Sequence, residues 1–342
     1  MCAKSVEIPS IHRDFIRVDL SNYEQRRGEI IKTLMEAATE HGFFYVVNHG
    51  ICIQDIRAMF QTSHDFFALP DQIKSKYTID ISRNAGWEKQ TQVRPSTGVA
   101  DLKESMQMGY HGIEDKWPTE QDSPGFRQKC EQFMQQCNHV SLQLLECLAI
   151  GLGFPEDYFT RYHDITQSDI LNTLRLLHYH DITGQVFDNN YWRAGAHTDF
   201  DTLTLLFQRP GENGLEVCPG REVSTAFGQG NYWSAVTPLE GDIVCNIGDM
   251  IMRWSDDRLK SNFHRVRAPG LKDYQGARYS IAYFNQANKS AVIQGRSVYI
   301  EPIIAGDFLK QAMERNYNAL QKLKAKEQMD MAQENTLGSP AT

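Results

Sequence analysis

The stretch GAHTDFDTLTLLFQ, residues 195–208, decides the reading of this chain. An apolar run, LTLLF, follows a histidine and an acid spaced at i and i+2. On an extended strand such residues project to the same face. His197 and Asp199 are therefore expected to point together. A third ligand is expected from His264, in KSNFHRVRAP, inside another strand-like run. Two imidazoles and a carboxylate on one face suit non-haem Fe(II) and leave further positions open for substrate and O2. An HxD pair alone is a weak signal, and its bland reading is a satisfied core histidine. The surroundings raise it. Arg278-Tyr-Ser280 again places two polar groups at i and i+2, at the head of the apolar run RYSIAYF. A charge there is costly unless paired. A guanidinium with a hydroxyl beside it forms a fork for a carboxylate.

Working outward, short apolar or alternating runs recur at Thr173–Tyr179, Thr202–Gln208, Gly214–Cys218, Asp242–Ile247, Asn262–Val266 and Arg278–Phe284. Turn signals separate them, Arg209-Pro-Gly, Glu212-Asn-Gly and Glu240-Gly-Asp among them. That pattern predicts an antiparallel barrel or sandwich. The chain before it reads mainly as helix. Ser21 and Glu24 have capping-box spacing, and Ile30, Ile31, Leu34, Ala37 and Ala38 keep a helical period up to Gly42. Phe43–Val47 reads as a short strand. Helices are expected over 53–68 and 124–152, with a long loop over 78–100. A C-terminal helix is expected over about 306–327, then a polar, disordered tail. The fold class is thus mainly β with flanking helices. The expected division is a mostly helical region over 1–160, a β core over 161–300, and a helix and tail over 301–342.

Composition bounds the function. The 342 residues carry a formal net charge of −8 and 41% hydrophobic residues. A chain without basic excess is a poor general nucleic-acid binder, and no nucleic-acid partner is expected. No stretch has the length of a membrane span, and MCAKSVEIPS lacks the apolar centre of a secretory signal. Seven cysteines scattered singly, with no CxxC, read as reduced thiols of a cytoplasmic protein. No GxGxxG follows a strand, so a dinucleotide fold is unsupported; GLGFPE at 151–156 follows a helix.

The run GAHTD…HRV…RYS, with IPSIHRDF near the start, HGFFYVVNHGI at 41–51 and FFALP at 66–70, resembles the isopenicillin N synthase-like family of Fe(II)/2-oxoglutarate-dependent oxygenases. The resemblance spans about residues 8–300. DLKESMQMG, LRLLHYH, NIGDMIMRWSDDRLKSNFHRV and RYSIAYF look closest to a branch that includes thymine 7-hydroxylase and oxygenases of fungal natural-product pathways. It implies a double-stranded β-helix, a jelly-roll fold of the cupin kind. It implies Fe(II) on His197, Asp199 and His264, and the distal carboxylate of 2-oxoglutarate on Arg278 and Ser280. Tyr179 matches a tyrosine of the family that also reaches this cosubstrate, although the Asn and Pro of the family's N-Y-Y-P stretch are absent from Leu177-His-Tyr-His180. It further implies O2-dependent oxidation of a small molecule through an Fe(IV)-oxo species, with release of succinate and CO2. Hydroxylation is the default outcome. Desaturation, epoxidation, cyclisation and ring expansion use the same site, and isopenicillin N synthase itself uses the iron without 2-oxoglutarate.

Candidates for the substrate wall are Asn84 and Trp87 in the loop expected to cover the site, Phe200, Phe284, and the strand cation Arg175. Each has a bland alternative: a loop anchor for Trp87, core packing for the phenylalanines, an ion pair for Arg175. His178 and His180 form a rival metal pair, for which the sequence shows no matching carboxylate and clamp. A Zn2+ hydrolase also fits a three-ligand open site, but no HExxH supplies its general base. A non-catalytic barrel would have no need of all five metal and clamp residues. The sequence leaves the substrate and the oligomeric state open.

Overall fold

The computed structural model describes residues 14–90, 101–184, 192–222, 233–267, 269 and 273–315. In chain order the elements are β1 (Arg17–Asp19), α1 (Tyr23–Glu40), β2 (Phe43–Val47), α2 (Ile53–Phe67), α3 (Asp71–Lys74), β3 (Gly86–Lys89), β4 (Lys103–Met108), α4 (Phe126–Gly151), β5 (Thr173–Tyr179), β6 (Trp192–His197), β7 (Leu203–Gln208), β8 (Leu215–Glu222), β9 (Ser234–Ala235), β10 (Ile243–Ile247), α5 (Asp249–Trp254), β11 (Asn262–Arg267), β12 (Arg278–Asn285), β13 (Val292–Ile293) and β14 (Ile303–Ile304). Residues 305–315 are helical; the rest of the expected C-terminal helix and the tail lie outside the described residues.

Two sheets make the core. The larger runs β1-β2-β10-β7-β12-β5-β4-β3 and the smaller β6-β11-β8-β9. All pairings in them are antiparallel except β1 with β2. This is the double-stranded β-helix that the family resemblance implies. The strand β12 shows why the sequence runs are apolar rather than alternating: it is buried on both faces. Ala282 packs with Leu177, Ala194, Leu215 and Val266 between the sheets. Tyr279, Ile281 and Tyr283 belong to the larger cluster shared with α1, α2 and α4. That helical layer covers the outer face of the large sheet, so its inner face is left to form a pocket against the small sheet.

Three local expectations are corrected. The Ser21–Glu24 capping box does not form: α1 starts after Asn22, which sits at φ 49° and makes no side-chain cap. The Ser21 hydroxyl accepts instead from Arg26 Nη1 at 2.7 Å. Within the stretch read as a loop, 86–89 form β3; residues 91–100 lie outside the described residues. And Lys103–Met108, read as no strand at all, forms β4, whose six residues are all buried. Its polar residues hid it. Lys103 is matched by Asp101 at 2.8 Å and Glu104 by Lys74 at 2.8 Å, so charges sit where a hydrophobic pattern was sought. The other boundaries fall close to expectation: Gly42, at φ 62°, ends α1 with its N–H on Ala37 O at 2.9 Å.

Candidate metal centre and cosubstrate pocket

His197 ends β6 and faces His264 on β11, its register partner. The ring centroids are 4.3 Å apart. Asp199 does not share the strand with His197, as the sequence suggested. It lies between β6 and β7, where the chain brings the carboxylate beside both Nε2 atoms. Asp199 Oδ1 is 3.8 Å from His197 Nε2 and 3.7 Å from His264 Nε2. One ligand atom from each of the three residues lies within 4.8 Å of the others.

The orientation of each ligand has a cause. His197 Nδ1 faces Gly195 O at 2.7 Å, and His264 Nδ1 faces Asn262 O at 3.4 Å. A carbonyl only accepts, so each Nδ1 carries the proton and each Nε2 offers a lone pair. Asp199 Oδ2 accepts from Thr204 Oγ1 at 2.6 Å and from Asn246 Nδ2 at 2.9 Å. Oδ1 is therefore the atom left for a ligand. Thr204 Oγ1 also meets Asp201 Oδ2 at 2.9 Å. One hydroxyl proton cannot serve two carboxylates. Burial pushes Asp201 well above the usual carboxylate range. Two imidazoles and one carboxylate oxygen on one face form a donor set that fits Fe(II).

The same hollow between the sheets is lined by Arg278, Ser280, Tyr179 and Lys103. Arg278 is 1% exposed. Its Nη2 donates to Gln208 Oε1 at 2.8 Å and its Nε to Glu212 O at 3.0 Å. The guanidinium lies over the Tyr179 ring, 4.8 Å from its centroid. Its Nη1 has no partner among the described residues. A buried, charged donor without a partner is expensive, and a ligand carboxylate would satisfy it. The pocket therefore fits 2-oxoglutarate on its own chemistry. Sequence reasoning missed Thr204, Asn246, Gln208 and Lys103. Their only signal was polarity inside runs otherwise apolar or strand-like.

A wider hollow opens from His197 and Asp199 toward the surface and is lined by Asn84, Arg175, Phe200 and Phe284. Arg175 donates from Nε to Gln107 Oε1 at 2.9 Å, and its guanidinium stands 5.1 Å from the Phe284 ring centroid. Asn84 Nδ2 is 3.4 Å from Thr173 Oγ1. Trp87 is a correction. It lines neither hollow, and its indole N–H donates to Glu104 Oε2 at 2.7 Å on the opposite, helix-covered face of the large sheet. The pleat explains the separation: Trp87 pairs with Met106, one residue out of phase with the pocket-facing Gln107.

Residues 172–287 match the 2OG-Fe(II) oxygenase superfamily, and residues 16–129 match the non-haem dioxygenase in morphine synthesis N-terminal family. A proline hydroxylase, buaE, of Petromyces alliaceus is 32% identical over 308 residues, covering 86% of this chain and 92% of that protein. The chain belongs to the 2OG-Fe(II) oxygenase superfamily. It is a 2-oxoglutarate-dependent dioxygenase, and its cofactors are Fe(II) and 2-oxoglutarate. Among solved structures, a full-length Neurospora crassa protein in complex with alpha-KG has a TM-score of 0.74 at 29% identity, covering 93% of this chain and 99% of that one. The same protein with alpha-KG and thymine has a TM-score of 0.73 at 29% identity, with 92% and 99% covered. Among the described residues, no helix is long and apolar enough to cross a membrane.

Proposed function

We propose that this oxygenase hydroxylates a small organic molecule, with Fe(II) held by His197, Asp199 and His264 and the distal carboxylate of 2-oxoglutarate held by Arg278 and Ser280 above the Tyr179 ring. The observation that carries the reading is the convergence of two Nε2 atoms on Asp199 Oδ1, at 3.8 and 3.7 Å, in a hollow shared with a buried guanidinium whose Nη1 is unmatched among the described residues. Iron, 2-oxoglutarate and O2 together supply the oxidising power, with succinate and CO2 as by-products. The protein's own work is positioning and exclusion. Arg278 and Ser280 orient the diacid, and the sheets keep bulk water from the reacting centre.

The wall of the outer hollow supports a flat substrate with acceptor groups. Phe200 and Phe284 line it together with Arg175 and Asn84. A pyrimidine or a phenolic, polyketide-like ring matches that chemistry, and the likeness to the Neurospora crassa protein solved with thymine supports a substrate of this size. The metabolic setting that fits is nucleobase or secondary metabolism, and the intact Asp199 speaks against a halogenase. Incubation of the iron-loaded protein with 2-oxoglutarate and such compounds should give succinate in step with O2 uptake. His197→Ala should lower that turnover by more than about 100-fold while far-UV circular dichroism stays unchanged; retained turnover overturns the assignment. Oxygen uptake on an oxidised substrate without succinate would instead favour an iron oxidase of the isopenicillin N synthase type. Product analysis separates hydroxylation from desaturation, epoxidation or ring closure at the same site.

A further inference from the structure

The pair His178 and His180, set aside in the sequence for want of a carboxylate, has one in the structure. Glu104 on β4 is the register partner of His178 on β5, and His178 Nδ1 lies 2.8 Å from Glu104 Oε1. Residues of β5 alternate, so Tyr179 faces the catalytic hollow while His178 faces away from it, against Phe67 of α2 and the ring of Tyr279. His180, two residues on, sets its ring 5.2 Å from that of His178 at 80°. Its Nε2 is buried and has no partner among the described residues.

We propose that Glu104, His178 and His180 form a second metal site, taking Zn2+, that ties β4 to β5 on the face of the large sheet opposite the catalytic triad. One ligand atom from each residue lies within 4.8 Å of the other two. Two imidazoles and one carboxylate are a borderline donor set suited to zinc, with a water in the fourth position. In an imidazole site zinc outcompetes Fe(II). The outer partners are already in place: Trp87 Nε1 and Lys74 Nζ both donate to Glu104 Oε2, at 2.7 and 2.8 Å. They hold the carboxylate and leave Oε1 for a ligand, the arrangement that fixes ligating carboxylates elsewhere. Lys74 also donates to Phe67 O at 3.0 Å, so it is anchored by α2 and does not need to swing into the metal position. Its charge weakens the site without occupying it. On binding, the proton shared by His178 Nδ1 and Glu104 Oε1 leaves to solvent or to the other ring nitrogen, and bonds to the metal replace that hydrogen bond. Binding through His180 Nε2 would give that atom the partner it lacks among the described residues.

The test is zinc stoichiometry by equilibrium dialysis and elemental analysis. It is independent of the catalytic reading because it uses protein with that centre removed. Metal-stripped His197→Ala/His264→Ala protein should bind one equivalent of Zn2+, and Co2+ in its place should show the visible absorption of a four-coordinate site. Adding His180→Ala to this background should weaken binding by at least about 100-fold, and His180→Gln, which keeps a polar side chain, should do the same. The proposal is overturned if the double variant binds no zinc, which would leave the cluster as a hydrogen-bond network only. Binding that persists undiminished after both His180 substitutions also overturns it.

Discussion

Asp199 binds its neighbours through one oxygen and presents the other, and two uncharged side chains make that division. Asn246 and Thr204 take Oδ2. Asn246→Ala removes a donor and lets the carboxylate turn, so both oxygens compete for one metal position. Outer partners of this kind typically contribute 10–100-fold in metal affinity. We expect Asn246→Ala to weaken binding of Fe(II), or of Co2+ as a stand-in, by about 10-fold or more. Titration of the stripped protein measures this, and Asn246→Asp should not rescue it, because a second carboxylate repels where an amide donates. An affinity equal to wild type would show that the Asn246 bond holds nothing in place.

At the level of elements, the Asp199 turn is docked rather than free. Three consecutive N–H groups at the start of α5 reach back to it: Gly248 N to Thr202 O at 3.0 Å, Asp249 N to Asp199 O at 2.8 Å, and Met250 N to Asp201 O at 3.1 Å. Asp249 is buried beneath this junction and accepts from Thr198 Oγ1 at 3.1 Å and Ser261 Oγ at 2.7 Å; burial pushes its carboxyl up to about 7. The close approach needs Gly248, because a Cβ there would stand 2.1 Å from Asp201 O and 2.6 Å from its carbonyl carbon. Backbone cannot step aside as a flexible side chain can. Gly248→Ala should therefore destabilise the fold by about 1–3 kcal/mol and also lower metal affinity, since it pushes on the turn that carries Asp199. Denaturant unfolding and metal titration on the same variant check both. A loss of stability with unchanged metal affinity would mean that the turn is positioned from elsewhere.

Across the whole molecule, the helical N-terminal layer and the β core share buried polar links. His163, just beyond the 3-10 turn Thr160–Tyr162, is one: it is 2% exposed, with Nδ1 on Phe159 O at 2.8 Å and Nε2 on Thr202 Oγ1 at 3.1 Å. Burial lowers its pKa from 6.5 to about 4. The unfolded chain thus binds a proton that the folded chain refuses between those values. Stability from this group is complete above pH 6.5 and is lost as the pH falls toward 4, by on the order of 3 kcal/mol. Asp249 acts in the opposite sense over much of the same range, so the difference between proteins is the useful quantity. The stability of wild type minus that of His163→Gln should fall by on the order of 3 kcal/mol from pH 7 to pH 4, read from denaturant curves at each pH. A difference independent of pH would remove His163 as the cause.

What the sequence determined by itself was the apolar strands of the core and much of the chemistry they carry. Apolar runs punctuated by turn signals located β5, β7, β10, β11 and β12 closely, because residues buried on both faces leave little room for polar substitution. Local spacing likewise singled out His197 with Asp199 and Arg278 with Ser280, while His264 came from a separate strand-like run. Tertiary structure decided what spacing cannot reach. The Asp199 turn, not a shared pleat, brings the acid to the imidazoles. Polar β4 exists because neighbours pair its charges, and that pairing moved Trp87 away from the pocket and set Glu104 beside His178. Side-chain periodicity is a property of consecutive residues, whereas the pairing of a buried charge depends on groups far away along the chain. Only the folded sheet brings those groups within hydrogen-bonding distance.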